Sequence, residues 1–188
     1  MFGKKVLLWF SSVLLLLSIT MITGCKKDDN NPTGPGGGGG GGNNAITING
    51  AGFSNAGMTV VASYSAFVTT ENLTYVNLMG SFTSDTAFVV VAFPGQNGTS
   101  TWDGLSTGAY LVLYGTSRFF TAMPNSGTTT VTSYGAVGTA IGGSINGTLY
   151  DTQGDSLKIS GNFSATRLPD QDSIGGPIKL NNLQIRTF

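Results

Sequence analysis

The chain is expected to fold as an all-β protein. About nine or ten short strands over residues 45–188 would form a single antiparallel β-sandwich or barrel, with the sandwich slightly favoured. Three observations carry this. β-Branched and aromatic residues alternate with Ser, Thr and Asn from Ala45 onward. Gly- and Asn-rich clusters punctuate the alternation at short intervals. Nowhere past Ala45 do apolar residues recur at the 3.6 spacing of a long amphipathic helix.

Taken in order, Ala45–Asn49 is a short first strand and Gly50–Gly57 a loop. Met58–Val68 alternates, with Met58, Val60, Ala62, Tyr64, Ala66 and Val68 on one side. Thr70-Glu71-Asn72 turns the chain into Leu73–Phe82, and Thr83-Ser84-Asp85 turns it again. Thr86–Phe93 is apolar at both parities, which marks a strand covered on both faces. Pro94 to Gly98 ends it, and Trp102-Asp103-Gly104 falls in the following loop. Gly108–Tyr114 and Arg118–Met123 are further strands, separated by Pro124-Asn125-Ser126-Gly127 from Thr128–Tyr134, a polar strand placed near an edge.

Ile141–Arg167 is the clearest unit. Asp151-Thr152-Gln153-Gly154-Asp155 has turn composition. A hairpin centred on Gln153 sets Leu149 opposite Leu157, Gly147 opposite Ile159 and Ile145 opposite Gly161, large against small. The other face reads Ser144, Asn146, Thr148, Tyr150, then Ser156, Lys158, Ser160, Asn162, Ser164, so one side is buried and one is wet. Pro169–Gly176 reads as loop and Ile178–Phe188 as a final strand. The hairpin resembles the last strands of small β domains on lipoproteins of Bacteroidota, a group that implies no particular activity.

The N-terminus explains where such a domain would sit. Lys4 and Lys5 precede an apolar run, Val6–Ile22, that ends at Gly24. A charged start, an apolar middle and a small residue at the end describe a signal peptide over residues 1–24. Seventeen residues as a helix reach only about 25 Å, short of a hydrocarbon core of ~30 Å. Ile22-Thr23-Gly24-Cys25 resembles the lipobox of bacterial lipoproteins. A thiol is the most nucleophilic side chain available for alkylation by a diacylglyceryl group, and Cys25 is the only cysteine. The resemblance implies cleavage before Cys25, acylation of Cys25 and anchoring in a lipid bilayer; more than one acyl chain is needed for a stable anchor. Lys26-Lys27-Asp28-Asp29-Asn30 is similar to the tether start of surface-displayed lipoproteins, although two lysines precede the acids. Residues 25–44 then form a linker with seven consecutive glycines, Gly36–Gly42. Such a run stays a flexible coil, with an r.m.s. span of roughly 25 Å for the whole linker. The expected address is the cell envelope: the outer membrane, with display at the cell surface as a further expectation.

Composition narrows the chemistry. The chain has no histidine, which removes Ser-His-Asp and Cys-His catalysis and the commonest ligand of transition metals. Over residues 45–188, five cations (Arg118, Lys158, Arg167, Lys179, Arg186) stand against seven acids (Glu71, Asp85, Asp103, Asp151, Asp155, Asp170, Asp172), a net of −2. No basic patch suits nucleic acid. All seven acids fall in expected turns, where Asp favours the local backbone, so a two-carboxylate glycoside hydrolase is the weakest reading. Asp151 with Asp155, or Asp170 with Asp172, lacks EF-hand spacing, and no metal or cofactor is expected.

Trp102, Tyr110, Tyr114, Phe119 and Phe120 are read chiefly as core. Trp102, beside Asp103-Gly104, is the candidate ligand contact, because a loop aromatic can carry binding. Asp85-Thr86-Ala87, Asp155-Ser156-Leu157 and Asp172-Ser173-Ile174 resemble an O-glycosylation sequon, which implies sugars on Thr86, Ser156 and Ser173. The functional expectation is a non-enzymatic, membrane-anchored lipoprotein. Its β domain would bind a glycan, a small apolar ligand or an envelope protein, the alternative being a structural or adhesive envelope component.

Overall fold

A computed structural model describes residues 44–95 and 97–172. The expected signal peptide, Cys25, the linker, Ser173 and the strand over Ile178–Phe188 lie outside the described residues. Nine strands run in sequence: β1 (Ala45–Gly50), β2 (Phe53–Val68), β3 (Leu73–Phe82), β4 (Asp85–Pro94), β5 (Gly98–Thr101), β6 (Gly108–Leu113), β7 (Arg118–Tyr134), β8 (Ala140–Tyr150) and β9 (Ser156–Arg167). Their order is β5-β7-β6-β4-β3-β2-β1-β9-β8, and β8 pairs back onto β7. Eight strands therefore close into an antiparallel barrel, and β5 is an extra strand that pairs with the second half of β7 on the side where β6 pairs with the first. The fold class is all-β as expected, and the slight preference for a sandwich gives way to a barrel.

Closure depends on two devices. β7 is a single long strand, where the sequence suggests two strands and a turn. Its register against β8 slips between Ala122 and Gly127, and Asn125 there has φ 60°. The Pro-Asn-Ser-Gly run is thus a bulge, which lets the first half of β7 pair with β6 and the second half with β5. The second device is the short β1. It is antiparallel to both β2 and β9. Beyond its end those two long strands meet directly in parallel, Tyr64 opposite Thr166 and Ser65 opposite Arg167.

The β8–β9 hairpin has the register read from the sequence: Leu149 opposite Leu157, Gly147 opposite Ile159, Ile145 opposite Gly161. Gly161 has φ +137°, and a Cβ there would run into the backbone of Ala45. The glycine lets β1 lie close against β9. Phe53–Gly57, expected as loop, instead pairs with β1 through a two-residue turn whose central Ala51 and Gly52 both have positive φ, the geometry that matches strand twist.

An eight-stranded barrel is just wide enough for side chains to fill its interior. Here they do, with Ile46, Ile48, Leu78, Phe82, Val89, Phe93, Leu111, Phe120, Ile141, Ile145, Ile159 and Phe163 all nearly fully buried. β4 shows why its sequence is apolar throughout. Ala87, Val89, Val91 and Phe93 enter the core cluster, while Phe88, Val90 and Ala92 have the opposite parity and are also buried.

Candidate functional site

Both mouths of the barrel are closed by an arginine laid on an aromatic ring. At the mouth formed by the β1–β2 and β8–β9 turns, the Arg118 guanidinium carbon lies 4.6 Å from the Phe120 ring centre. Its Nη2 donates to Asp151 at 2.5 Å and to Asp155 at 2.6 Å, and Nη1 donates to the Ala51 carbonyl at 3.3 Å. The hydrogen bond to Asp151 holds Arg118 above its ordinary pKa. The same bond, joined by backbone N–H groups of Asp155 and Gln153, holds the Asp151 carboxyl below the usual carboxylate range. At the other mouth Arg167 lies 5.0 Å from the Tyr134 ring centre. It donates to Asp170 at 2.6 Å and to the Gly135 carbonyl at 3.2 Å. The Tyr134 hydroxyl bonds buried Thr74 at 2.8 Å.

Trp102 is the main correction to the sequence reading. It is 1% exposed, not a loop aromatic open to ligand. Its indole N–H donates to Thr129 Oγ1 at 2.9 Å. Its ring lies over Gly127 and Gly147, where a Cβ at either position would collide with it. Trp102 N–H donates to the Gly127 carbonyl and Trp102 C=O accepts from Asn125, so the backbone continues the β5–β7 pairing into the bulge. The paired glycines opposite each other, Gly127 and Gly147, were the available signal for a bulky side chain filling that space.

The other aromatics do not form one platform. Phe120 is in the core, whereas Tyr110 and Phe119 face outward and stack at 6.2 Å with 16° between their planes. Burial first, then the Asp103 charge, pushes the Tyr110 phenol up to about 12. Tyr114 sits exposed in the β6–β7 turn.

The described carboxylates are used as loop acceptors. Asp103 takes the N–H groups of Leu105, Ser106 and Thr107 at 2.7–2.8 Å. Burial raises its pKa, but these bonds outweigh burial and leave it lowered. Asp85 takes the N–H of Gly115 at 2.6 Å and the Thr116 hydroxyl at 3.0 Å, pinning the β6–β7 turn. Glu71 accepts the Tyr75 hydroxyl at 2.5 Å. Asp151 and Asp155 share Arg118, so neither is an open calcium ligand pair. Thr86 and Ser156, the described O-glycosylation candidates, are exposed.

One cleft opens where the wall is not stitched by hydrogen bonds, between the end of β4 and β5. It measures about 190 Å³ and is lined by Phe93, Pro94, Asn97, Gly98, Thr99, Ser100 and Val131. Ser100 Oγ is buried beside it with no protein partner. No charged side chain among the described residues lines the cleft. Among the described residues no helix is long and apolar enough to cross a membrane. No protein-family model, curated protein or solved structure matches the chain.

Proposed function

We propose that this is a lipid-anchored protein of the bacterial cell envelope. Residues 1–24 direct export and are removed, acylated Cys25 inserts into the bilayer, and residues 26–44 tether the barrel close to the lipid surface. The barrel acts through its outside, where it meets an envelope glycan or protein. The observation that supports this mode is the filled interior, closed at each mouth by an arginine–aromatic–carboxylate plug. An internal ligand would have to displace packed side chains such as Phe93, Phe120 and Phe163, whose contacts are worth more than a small apolar ligand returns.

The carboxylates support a non-catalytic role. A glycosidase needs one free acid and one free base facing each other across a substrate. Asp151 and Asp155 face each other only across the Arg118 guanidinium, and Asp103 and Asp85 are occupied by turns.

The reading is tested in cells grown with labelled palmitate. Native protein should carry label and sediment with membranes, and a Cys25→Ser variant should lose both. An unlabelled native protein, or a Cys25→Ser variant that still sediments with membranes, contradicts the anchor. Cross-linking at the cell surface should then recover a glycan or protein partner, and native protein that stays uncross-linked contradicts binding.

A further inference from the structure

We infer that the cleft between the end of β4 and β5 is a binding subsite for one neutral sugar ring, with the Ser100 hydroxyl as its buried polar contact. The cleft follows from the strand pairing. β6 accompanies β4 only as far as Ala92, opposite Gly108, so Phe93 and Pro94 have no paired strand on that side. β5 takes the place of β6 beside the second half of β7, and among the described strands it pairs with nothing else. Its inward parity carries Gly98 and Ser100, opposite the buried Val131 and Thr129. Both are too small to fill the gap, and a Cβ at Gly98 would meet no atom within 4 Å. Thr99 has the outward parity, and its hydroxyl is bonded to that of Thr130 at 3.0 Å. The floor is fixed, because Phe93 stacks on Phe163 in the core with ring centres 6.4 Å apart.

The chemistry of the lining selects the occupant. Ser100 Oγ is shielded from solvent and has no protein partner, although a buried hydroxyl ordinarily has one. It offers one donor and two acceptor positions, and so fits a group that both donates and accepts, as a sugar hydroxyl does. Asn97 at the exposed rim adds an amide. Phe93, Pro94 and Val131 supply apolar surface for the C–H face of a ring, the usual mixture of apolar wall and a few placed polar groups. Among the described residues no carboxylate, ammonium or guanidinium lines the cleft. An ionised ligand would therefore leave water without a counter-charge, a cost that a neutral one avoids. The volume of about 190 Å³ is the share of about six waters at ~30 Å³ each. Ser100 needs only one of them, and the room suits a single ring, not an added strand of polypeptide. The inference deepens the proposed function and rests on it only in taking a glycan, not a protein, as what the outside of the barrel meets. The anchor at Cys25 has no part in it.

The test uses protein purified in mild detergent from its own cells, with whatever N-terminus and lipid the cells leave on it. Glucose, galactose, mannose and N-acetylglucosamine are titrated singly, and saturation transfer from protein to sugar is read by NMR. At least one should bind with a Kd of about 1–10 mM, the strength that a ring of about twelve heavy atoms gives at ordinary ligand efficiency. Glucuronate, a charged counterpart, should bind at least tenfold more weakly. Ser100→Ala should weaken sugar binding about tenfold without lowering the urea unfolding midpoint, because the hydroxyl it removes has no partner in the barrel. Asn97→Ala, at an exposed position, should weaken binding several-fold, and it decides alone should Ser100→Ala fail to fold. No saturation transfer to any neutral sugar overturns the inference; a protein still recovered by surface cross-linking would then leave the proposed function standing without it. Sugar binding that both substitutions leave unchanged overturns the assignment to this cleft, while the glycan reading survives. Glucuronate bound as tightly as the best neutral sugar overturns it too. Protein that carries no lipid yet binds sugar through Ser100 supports the cleft and contradicts only the anchor.

Discussion

Replacing Gly147 by alanine should destabilise the barrel, and most strongly while Trp102 is present. The φ of Gly147 is not positive, so alanine fits its backbone and would, by restricting the unfolded chain, add about 0.4–1 kcal/mol of stability. The added methyl has nowhere to go. It would lie 2.6 Å from Trp102 Cη2 and 2.7 Å from the Gly127 Cα on the facing strand. The ring cannot swing away without breaking its bond to Thr129. Overpacking of this kind costs about 1–3 kcal/mol, so the clash wins. For a domain of this size a net loss of about 1–2 kcal/mol lowers Tm by roughly 3–10 °C. In a Trp102→Leu background the ring contacts are gone but the close approach to the Gly127 Cα remains, so Gly147→Ala should cost less than in the native chain. The assay is urea unfolding followed by circular dichroism on all four chains of the cycle. A coupling of about 1–3 kcal/mol is expected. Equal effects of Gly147→Ala in both backgrounds would refute the packing of Trp102 between the two glycines.

Further outcomes follow from the same geometry. Trp102→Phe keeps most of the ring but strands the Thr129 hydroxyl, and should cost about 1–3 kcal/mol in the same unfolding assay. Beyond residue 24 Trp102 is the only tryptophan, so the mature chain should show blue-shifted emission that moves to the red on unfolding. Asp103 and Asp151 have lowered pKa values when folded. The folded state therefore binds fewer protons than the unfolded one, and their contribution, complete above about pH 4, should fade as pH drops further. Thermal melts between neutral and strongly acid pH measure it, and Asp151→Asn should flatten part of the slope. Tyr75, raised by burial and then by its bond to Glu71, and Tyr110 should be the last phenols to ionise in an alkaline absorbance titration. Their raised values mean that stability falls as pH climbs past about 10.

What could be read from the sequence was whatever is encoded locally. The β8–β9 register followed from one turn and from large residues facing small ones, because a hairpin is set by its own neighbours. The two-sided apolarity of β4 was legible for a similar reason, since its composition alone reports burial on both faces. Closure was not legible. It depends on β7 pairing with β8 and on β2 meeting β9 past a short β1, contacts between segments distant in sequence. β5, Gly-Thr-Ser-Thr, has no apolar residue to report its periodicity, and it is a strand only because it pairs with Thr128–Val131, polar but for Val131. Trp102 was misplaced for the same reason: without β5 its segment reads as a free loop. The plugs at the two mouths were hidden because Arg118 meets Asp151 and Asp155, and Arg167 meets Tyr134, only when distant strands pair.

Under the proposed function, the thiol at position 25 starts the mature chain and attaches it to lipid. Intact-mass measurement on protein extracted from its native membranes tests this directly. The expected chain begins at Cys25 and carries the added mass of more than one acyl chain. A chain that still carries Met1–Gly24, or a Cys25 with a free thiol, would contradict it.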